Sequence, residues 1–136
     1  MVESDISAVF LGKNANSVIA VDSEGHIYVY GENGIDESYK FLLNSINIGN
    51  CIDSAIIGDS IYFLVTDDDG YKKLAACPIN DDGTLGTPEN VVIEPKTFDV
   101  ENSLEIFGES GNVFIRSEDG KIHKFQIRTF KNIKHV

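Results

Sequence analysis

The stretch Val18-Ile19-Ala20-Val21-Asp22-Ser23-Glu24-Gly25-His26-Ile27-Tyr28-Val29-Tyr30 decides the fold. Two runs of β-branched and aromatic residues flank a short acid-glycine segment, which is the pattern of two strands joined by a tight hairpin. Glycine accepts positive φ there, and Asp or Glu suits the neighbouring turn positions. The same punctuation returns twice, because Asp69-Gly70 and Asp119-Gly120 repeat Glu24-Gly25 at steps of 45 and 50 residues. Ile61-Tyr62-Phe63-Leu64-Val65 and Val113-Phe114-Ile115 precede these pairs; Tyr71 to Ala75 and Ile122-His123-Lys124-Phe125 follow them. An earlier glycine keeps pace, with Val9-Phe10-Leu11-Gly12, Ala55-Ile56-Ile57-Gly58 and Glu105-Ile106-Phe107-Gly108 spaced by 46 and 50 residues.

Each copy therefore predicts three strands, and a fainter fourth is expected in Phe41 to Ile48, Val91-Val92-Ile93 and Asn132 to Val136. Helical periodicity is not sustained; the best candidate, Glu37 to Ser45, is short and lacks a capping box, so almost no helix is expected. Four short antiparallel strands recurring at this spacing are the signature of a β-propeller blade. The expectation is one all-β domain over residues 1–136, with repeats at about 6–50, 51–98 and 99–136: a partial β-propeller of three blade-like, four-stranded antiparallel repeats. A β-sandwich assembled from hairpins is the runner-up, but a sandwich has no reason to hold both glycines at matching offsets.

The segment Ile19 to Asn33, ending Tyr30-Gly31-Glu32-Asn33, resembles the repeat of the regulator of chromosome condensation family. That repeat has an apolar strand, a turn ending in acid-glycine, and an aromatic-containing strand closing on Trp-Gly-x-Asn. Gly58 and Gly108 fall where the family carries a glycine before its second strand, and Asp82-Gly83-Thr84-Leu85-Gly86 is similar to its Gly-x-Leu-Gly segment. The resemblance implies a propeller fold. Tyr30 replaces the tryptophan, and the second and third copies have no Trp-Gly pair. The family's nucleotide-exchange and chromatin roles are therefore not carried over.

The formal charge is −11, from 22 acids and 11 bases, which repels phosphate backbones and anionic lipid; direct nucleic-acid binding is not expected. The longest apolar runs reach about five residues, far short of the roughly 20 needed to span a bilayer as a helix. Glu3 and Asp5 in the first residues are the opposite of a secretory leader, so a cytoplasmic or virion-associated protein is expected. Cys51 and Cys77 have no second Cys or His at metal-ligand spacing and read as reduced, half-buried thiols, although a single disulfide between them stays open.

Asp67-Asp68-Asp69-Gly70 does not continue into a calcium loop, since its twelfth position is Pro78, and Gly31-Glu32-Asn33-Gly34 lacks the ending of a phosphate loop. No catalytic residue, metal ligand or cofactor is assigned, and the chain is read as non-enzymatic. In a propeller, equivalent turns emerge on one rim, so Asp22, Glu24, Asp67, Asp68, Asp69, Glu118 and Asp119 are expected to form an acidic face for a protein partner, partly neutralised by Lys72, Lys73 and Lys121. Propellers close with about four to eight blades. Three leave two open flanks, which predicts self-association, for example a six-blade ring of two copies by isologous contact, or docking on a larger assembly. Edges blunted by Lys72, Lys73 and Lys124 are the plainer alternative. The expected function is a non-catalytic protein–protein interaction or assembly module. The alternatives are a virion or tail structural protein and a small-ligand or carbohydrate-binding propeller. Against the last, Tyr30, Ala75 and Phe125 share one offset, so no common sugar platform recurs.

Overall fold

The computed structural model describes residues 6–11 and 17–136; Gly12 and the acids of the Met1–Asp5 segment lie outside the described residues. The protein is all-β, in three sheets whose strands follow chain order except for one strand of the third. Sheet 1 runs β1 (Ile6–Leu11), β2 (Val18–Asp22), β3 (Ile27–Gly31), β4 (Gly34–Asp36). Sheet 2 runs β5 (Ile48–Ile57), β6 (Ser60–Asp67), β7 (Lys72–Pro78), β8 (Glu89–Asn90). Sheet 3 runs β10 (Ser103–Glu109), β11 (Asn112–Ser117), β12 (Ile122–Thr129), β13 (Asn132–His135), with β9 (Val92–Glu94) added parallel to β13 at its outer edge. All other pairings are antiparallel.

Strand alternation explains how the sheets pack. In β6, Ile61, Phe63 and Val65 point into one core with Ile19, Val21 and Ile27 of sheet 1. Tyr62 and Leu64 point the other way, into a second core with Ile106, Val113, Ile115 and Phe125 of sheet 3. Sheet 2 is thus buried on both faces, and its central strands β6 and β7 carry continuous buried runs, Ile61–Val65 and Leu74–Cys77, for that reason. This is a stack of three sheets, not the two layers of a sandwich. The first strands meet as well: β1 and β10 both touch β5, and the Asp53 carboxylate in β5 accepts the Ile106 N–H at 2.8 Å across the gap between sheets 2 and 3. Among the described residues the sheets do not close into a barrel or a ring.

Two expected fourth strands are displaced. Phe41 to Ile48 is not a strand of sheet 1; Leu42–Ile46 is a 3-10 turn that drops Leu43 into the core between sheets 1 and 2, and Gly34–Asp36 is the edge strand instead. A second 3-10 turn, Glu37–Tyr39, is capped by Asp36, whose side chain accepts the Ser38 N–H. Both helical turns over Glu37 to Ser45 are short 3-10 turns, only the first with a side-chain cap, in keeping with the near absence of helix expected there. In the second copy, Glu89–Asn90 completes sheet 2, while Val92–Glu94 crosses over to sheet 3. Asn132–His135 is the expected last strand.

Candidate functional site

The recurring acid-glycine segments are the β2–β3, β6–β7 and β11–β12 hairpins. Gly25, Gly70 and Gly120 hold φ of +83°, +86° and +84°, the left-handed region that a side chain strains. Each glycine N–H donates to the carbonyl three residues back, Asp22 at 3.1 Å, Asp67 at 3.0 Å and Ser117 at 2.9 Å. The first turn residue then caps the loop with its side chain. Asp67 Oδ1 accepts the N–H groups of Asp69 and Tyr71 at 2.9 and 3.0 Å, and Asp22 Oδ1 accepts those of Glu24 and His26 at 3.0 and 2.8 Å. The third copy has Ser117 in that place. There Asp119 takes over, accepting the Lys121 N–H at 3.0 Å, and this bond holds its carboxyl below the usual range.

The first two hairpins are neighbours, and the third lies by a separate depression lined by Asn102, Ser117, Asp119 and His123. Glu24 and Asp68 border a shared depression with His26, Gly49 and Asn50. Lys72, just past the second hairpin, donates its N–H to Glu101 at 2.7 Å and its Nζ to the Ser103 carbonyl at 2.8 Å, where Ser103 pairs with Ser117. Glu24, Asp68, Asp69, Glu118 and Asp119 are exposed and Asp67 is half-buried. Asp22 is fully buried and does not belong to an exposed rim. Its Oδ2 accepts from His26 Nδ1 at 2.9 Å and from the Tyr28 hydroxyl at 3.4 Å. Lys72 and Lys73 are not loose edge charges either, since Lys73 Nζ donates to the Ile46 carbonyl at 3.2 Å.

Among the described residues, one group could gather a cation: Asp22, Glu24 and His26, whose ligand atoms lie within 4.8 Å of one another. Both Asp22 oxygens are already spent on the hairpin and on Tyr28, so the arrangement works as a buried cap. Cys51 and Cys77 are free and buried, more deeply than the half-buried thiols expected, and burial pushes both up to about 12. Such thiols are poor nucleophiles near neutral pH.

A second surface was not read from the sequence. The face of sheet 3 turned away from sheet 2 carries Phe107 stacked on Phe114, with ring centroids 5.4 Å apart and planes 12° from parallel. The registers Glu105↔Arg116↔Ile122, Phe107↔Phe114↔Lys124 and Gln126↔Lys134 place these side chains on that face together. Arg116 Nε lies 3.9 Å from Glu105 Oε1. The signal was present in β12, where Lys124 and Gln126 alternate with Phe125 and Ile127. It required knowing which face was covered. Similarly, Tyr28, Tyr62, Phe63 and Phe125 are fully buried, as aromatics alternating within strands suggest, while Tyr30 is only half-buried. No protein-family model matches the chain, and no curated protein is significantly similar to it. No helix among the described residues is long and apolar enough to cross a membrane.

Proposed function

We propose that this protein is a non-catalytic protein–protein interaction or assembly module whose three sheets are blades of a partial β-propeller. One observation carries the reading: sheet 2 buries both of its faces against neighbouring sheets, while among the described residues sheets 1 and 3 each pack against one other sheet. The side-by-side first strands β1, β5 and β10 support radial packing, because in a propeller the inner strands of successive blades adjoin about the axis. The chemistry of the polar groups supports a binding role over catalysis. The buried carboxylate of Asp22 is consumed by its cap, the thiols are held neutral, and the hairpin carboxylates other than Asp67 stand open to water. The acidic residues of the hairpins, Glu24, Asp67, Asp68, Asp69, Glu118 and Asp119, would steer a basic partner by raising its encounter rate more than its affinity.

Native purification followed by light scattering and cross-linking mass spectrometry tests this. A particle heavier than 15.0 kDa, with cross-links from sheet 1 or sheet 3, is expected. A species of 15.0 kDa that retains no partner at any concentration refutes the reading.

A further inference from the structure

The geometry points to the outer face of sheet 3 as the seat of a second copy of this chain, which docks there through the outer face of its sheet 1. The inference rests on the assembly reading above and names its contact. Its basis is continuity with the two sheet-to-sheet interfaces already present. Within the chain, the same side of each sheet is offered to the sheet that follows: Ile19 and Val29 of sheet 1 face sheet 2, and Leu64 and Leu74 of sheet 2 face sheet 3. At the same distances from the hairpin glycine, sheet 3 offers Phe114 and Lys124 in the places of Leu64 and Leu74. Phe107, 36% exposed, stacks on Phe114 and extends the apolar centre; Ile122, 58% exposed, adjoins it. Arg116, Lys124 and Lys134 surround that centre, with Glu105 and Glu109. An apolar centre inside a charged border is the anatomy of a protein interface.

The other half of the contact is written in the same positional code. Ala75 and Phe125, which share an offset from their glycines, are both fully buried against the preceding sheet. Their counterpart in sheet 1 is Tyr30, half-buried and facing away from sheet 2. Val9, paired with Ala20, shares that side and is 62% exposed; Val18 and Ile35 pair with Tyr30 and complete an uncharged strip. Glu94, paired with Lys134, adds a third acid, so the face of sheet 3 holds three bases and three acids and carries no net charge in a chain of −11. Repeating one sheet-to-sheet step from copy to copy makes a heterologous contact, sheet 3 to sheet 1, even where a two-fold axis relates the copies in a closed six-sheet ring.

Light scattering on the full chain tests the pairing with Phe107→Lys on sheet 3 and Val9→Lys on sheet 1. Lys124→Glu serves as a second sheet 3 variant in case Phe107→Lys melts early. The wild type is expected as a pair of twice 15.0 kDa or a ladder of higher multiples, either of which contains the contact. Each single variant should self-associate about tenfold or more weakly. Mixing Phe107→Lys with Val9→Lys should restore a pair, because one unaltered sheet 3 face then meets one unaltered sheet 1 face. Variants that assemble like the wild type overturn this contact and leave the assembly reading standing. Loss of assembly without rescue on mixing means an isologous contact and also overturns it. A wild-type chain of 15.0 kDa up to about 200 µM excludes a second copy as the occupant, since even a dissociation constant in the micromolar range would populate the pair. Binding of a labelled single-stranded oligonucleotide that Lys124→Glu abolishes would assign the face to nucleic acid instead.

Discussion

Replacing Asp22 by alanine separates a buried cap from an exposed one of identical local geometry. The Asp22 carboxylate is fully buried and holds the N–H groups of Glu24 and His26, the His26 ring and the Tyr28 hydroxyl. The ring and the hydroxyl can re-aim when the acceptor disappears, but the two backbone donors cannot leave their hairpin. A buried donor left unsatisfied costs about 1–3 kcal/mol, so Asp22→Ala should lose about 2–5 kcal/mol. Asp67 makes the same two backbone bonds from a half-buried position whose amides are reachable by water, so Asp67→Ala should lose only about 1 kcal/mol, the ordinary value of a cap. Urea denaturation followed by circular dichroism measures both, with unchanged slopes confirming that stability alone has moved. Equal losses in the two variants, or a loss below about 1 kcal/mol at Asp22, would refute the claim that burial makes the first hairpin cap structural.

Gly108 has no positive φ, yet a Cβ there would fall against the Asn112 carbonyl and 3.0 Å from Ile57 Cδ1; Gly108→Ala should cost about 2–3 kcal/mol in thermal or urea unfolding, by overpacking between sheets 2 and 3. Gly70, at φ +86° with open space around its Cα, should lose about 1 kcal/mol on change to alanine and less to asparagine, which tolerates that backbone region. With both thiols raised to about 12, roughly 10⁻⁴ of either cysteine is thiolate at pH 8, so a disulfide reagent should label neither Cys51 nor Cys77 until urea unfolds the chain. Burial raises the Asp53 carboxyl above its ordinary value, so its protonated form is favoured in the fold and its contribution to stability is lost as pH rises through the folded value. Asp53→Asn, which keeps an acceptor for the Ile106 N–H, should therefore unfold later than the wild type at about pH 7 and show no such advantage near pH 3, where both are neutral.

The hairpins were legible because their requirement is local: one residue at positive φ, preceded by a side chain able to cap the turn. The earlier glycines show the limit of that reasoning. Gly58 and Gly108 sit at equal distances from Gly70 and Gly120, yet only Gly58 is a turn residue, at φ +63°. In sheet 3 the β10–β11 turn has moved to Ser110 and Gly111, at φ +83°, and Gly108 is a strand residue kept small by a neighbouring backbone and by Ile57. Close approach between sheets leaves no local signature. The outer strands were misplaced for a related reason, since Val92–Glu94 and Glu89–Asn90 are too short to carry a period and are fixed by whichever sheet edge they reach. Asp22 was assigned to an exposed rim because its turn matches Asp67, and nothing in the turn itself shows that Tyr28 and His26 close over it.

The outer faces of sheets 1 and 3 differ in character from the packed faces of sheet 2. A sheet in the middle of the stack spends every residue of its central strands on packing, as Tyr62, Phe63, Leu64 and Val65 do. A terminal sheet that only had to stay in solution would give up the apolar residues of its outer face, which is how the end repeats of stacked proteins are capped. Sheet 3 gives up half of them: Lys124 and Gln126 stand where sheet 2 has Leu74 and Ala76, but Phe114 replaces Leu64 with a larger apolar group, and Phe107 lies against it. Exposure of those rings costs roughly 25 cal/mol for each square ångström left in water, with no return in solubility. The charged substitutions lower the penalty of the free state, and the aromatic pair preserves an attraction for a partner. On the contact proposed above, that combination would let the face meet its neighbour reversibly, with the uncharged side of another sheet 1 covering the aromatic pair.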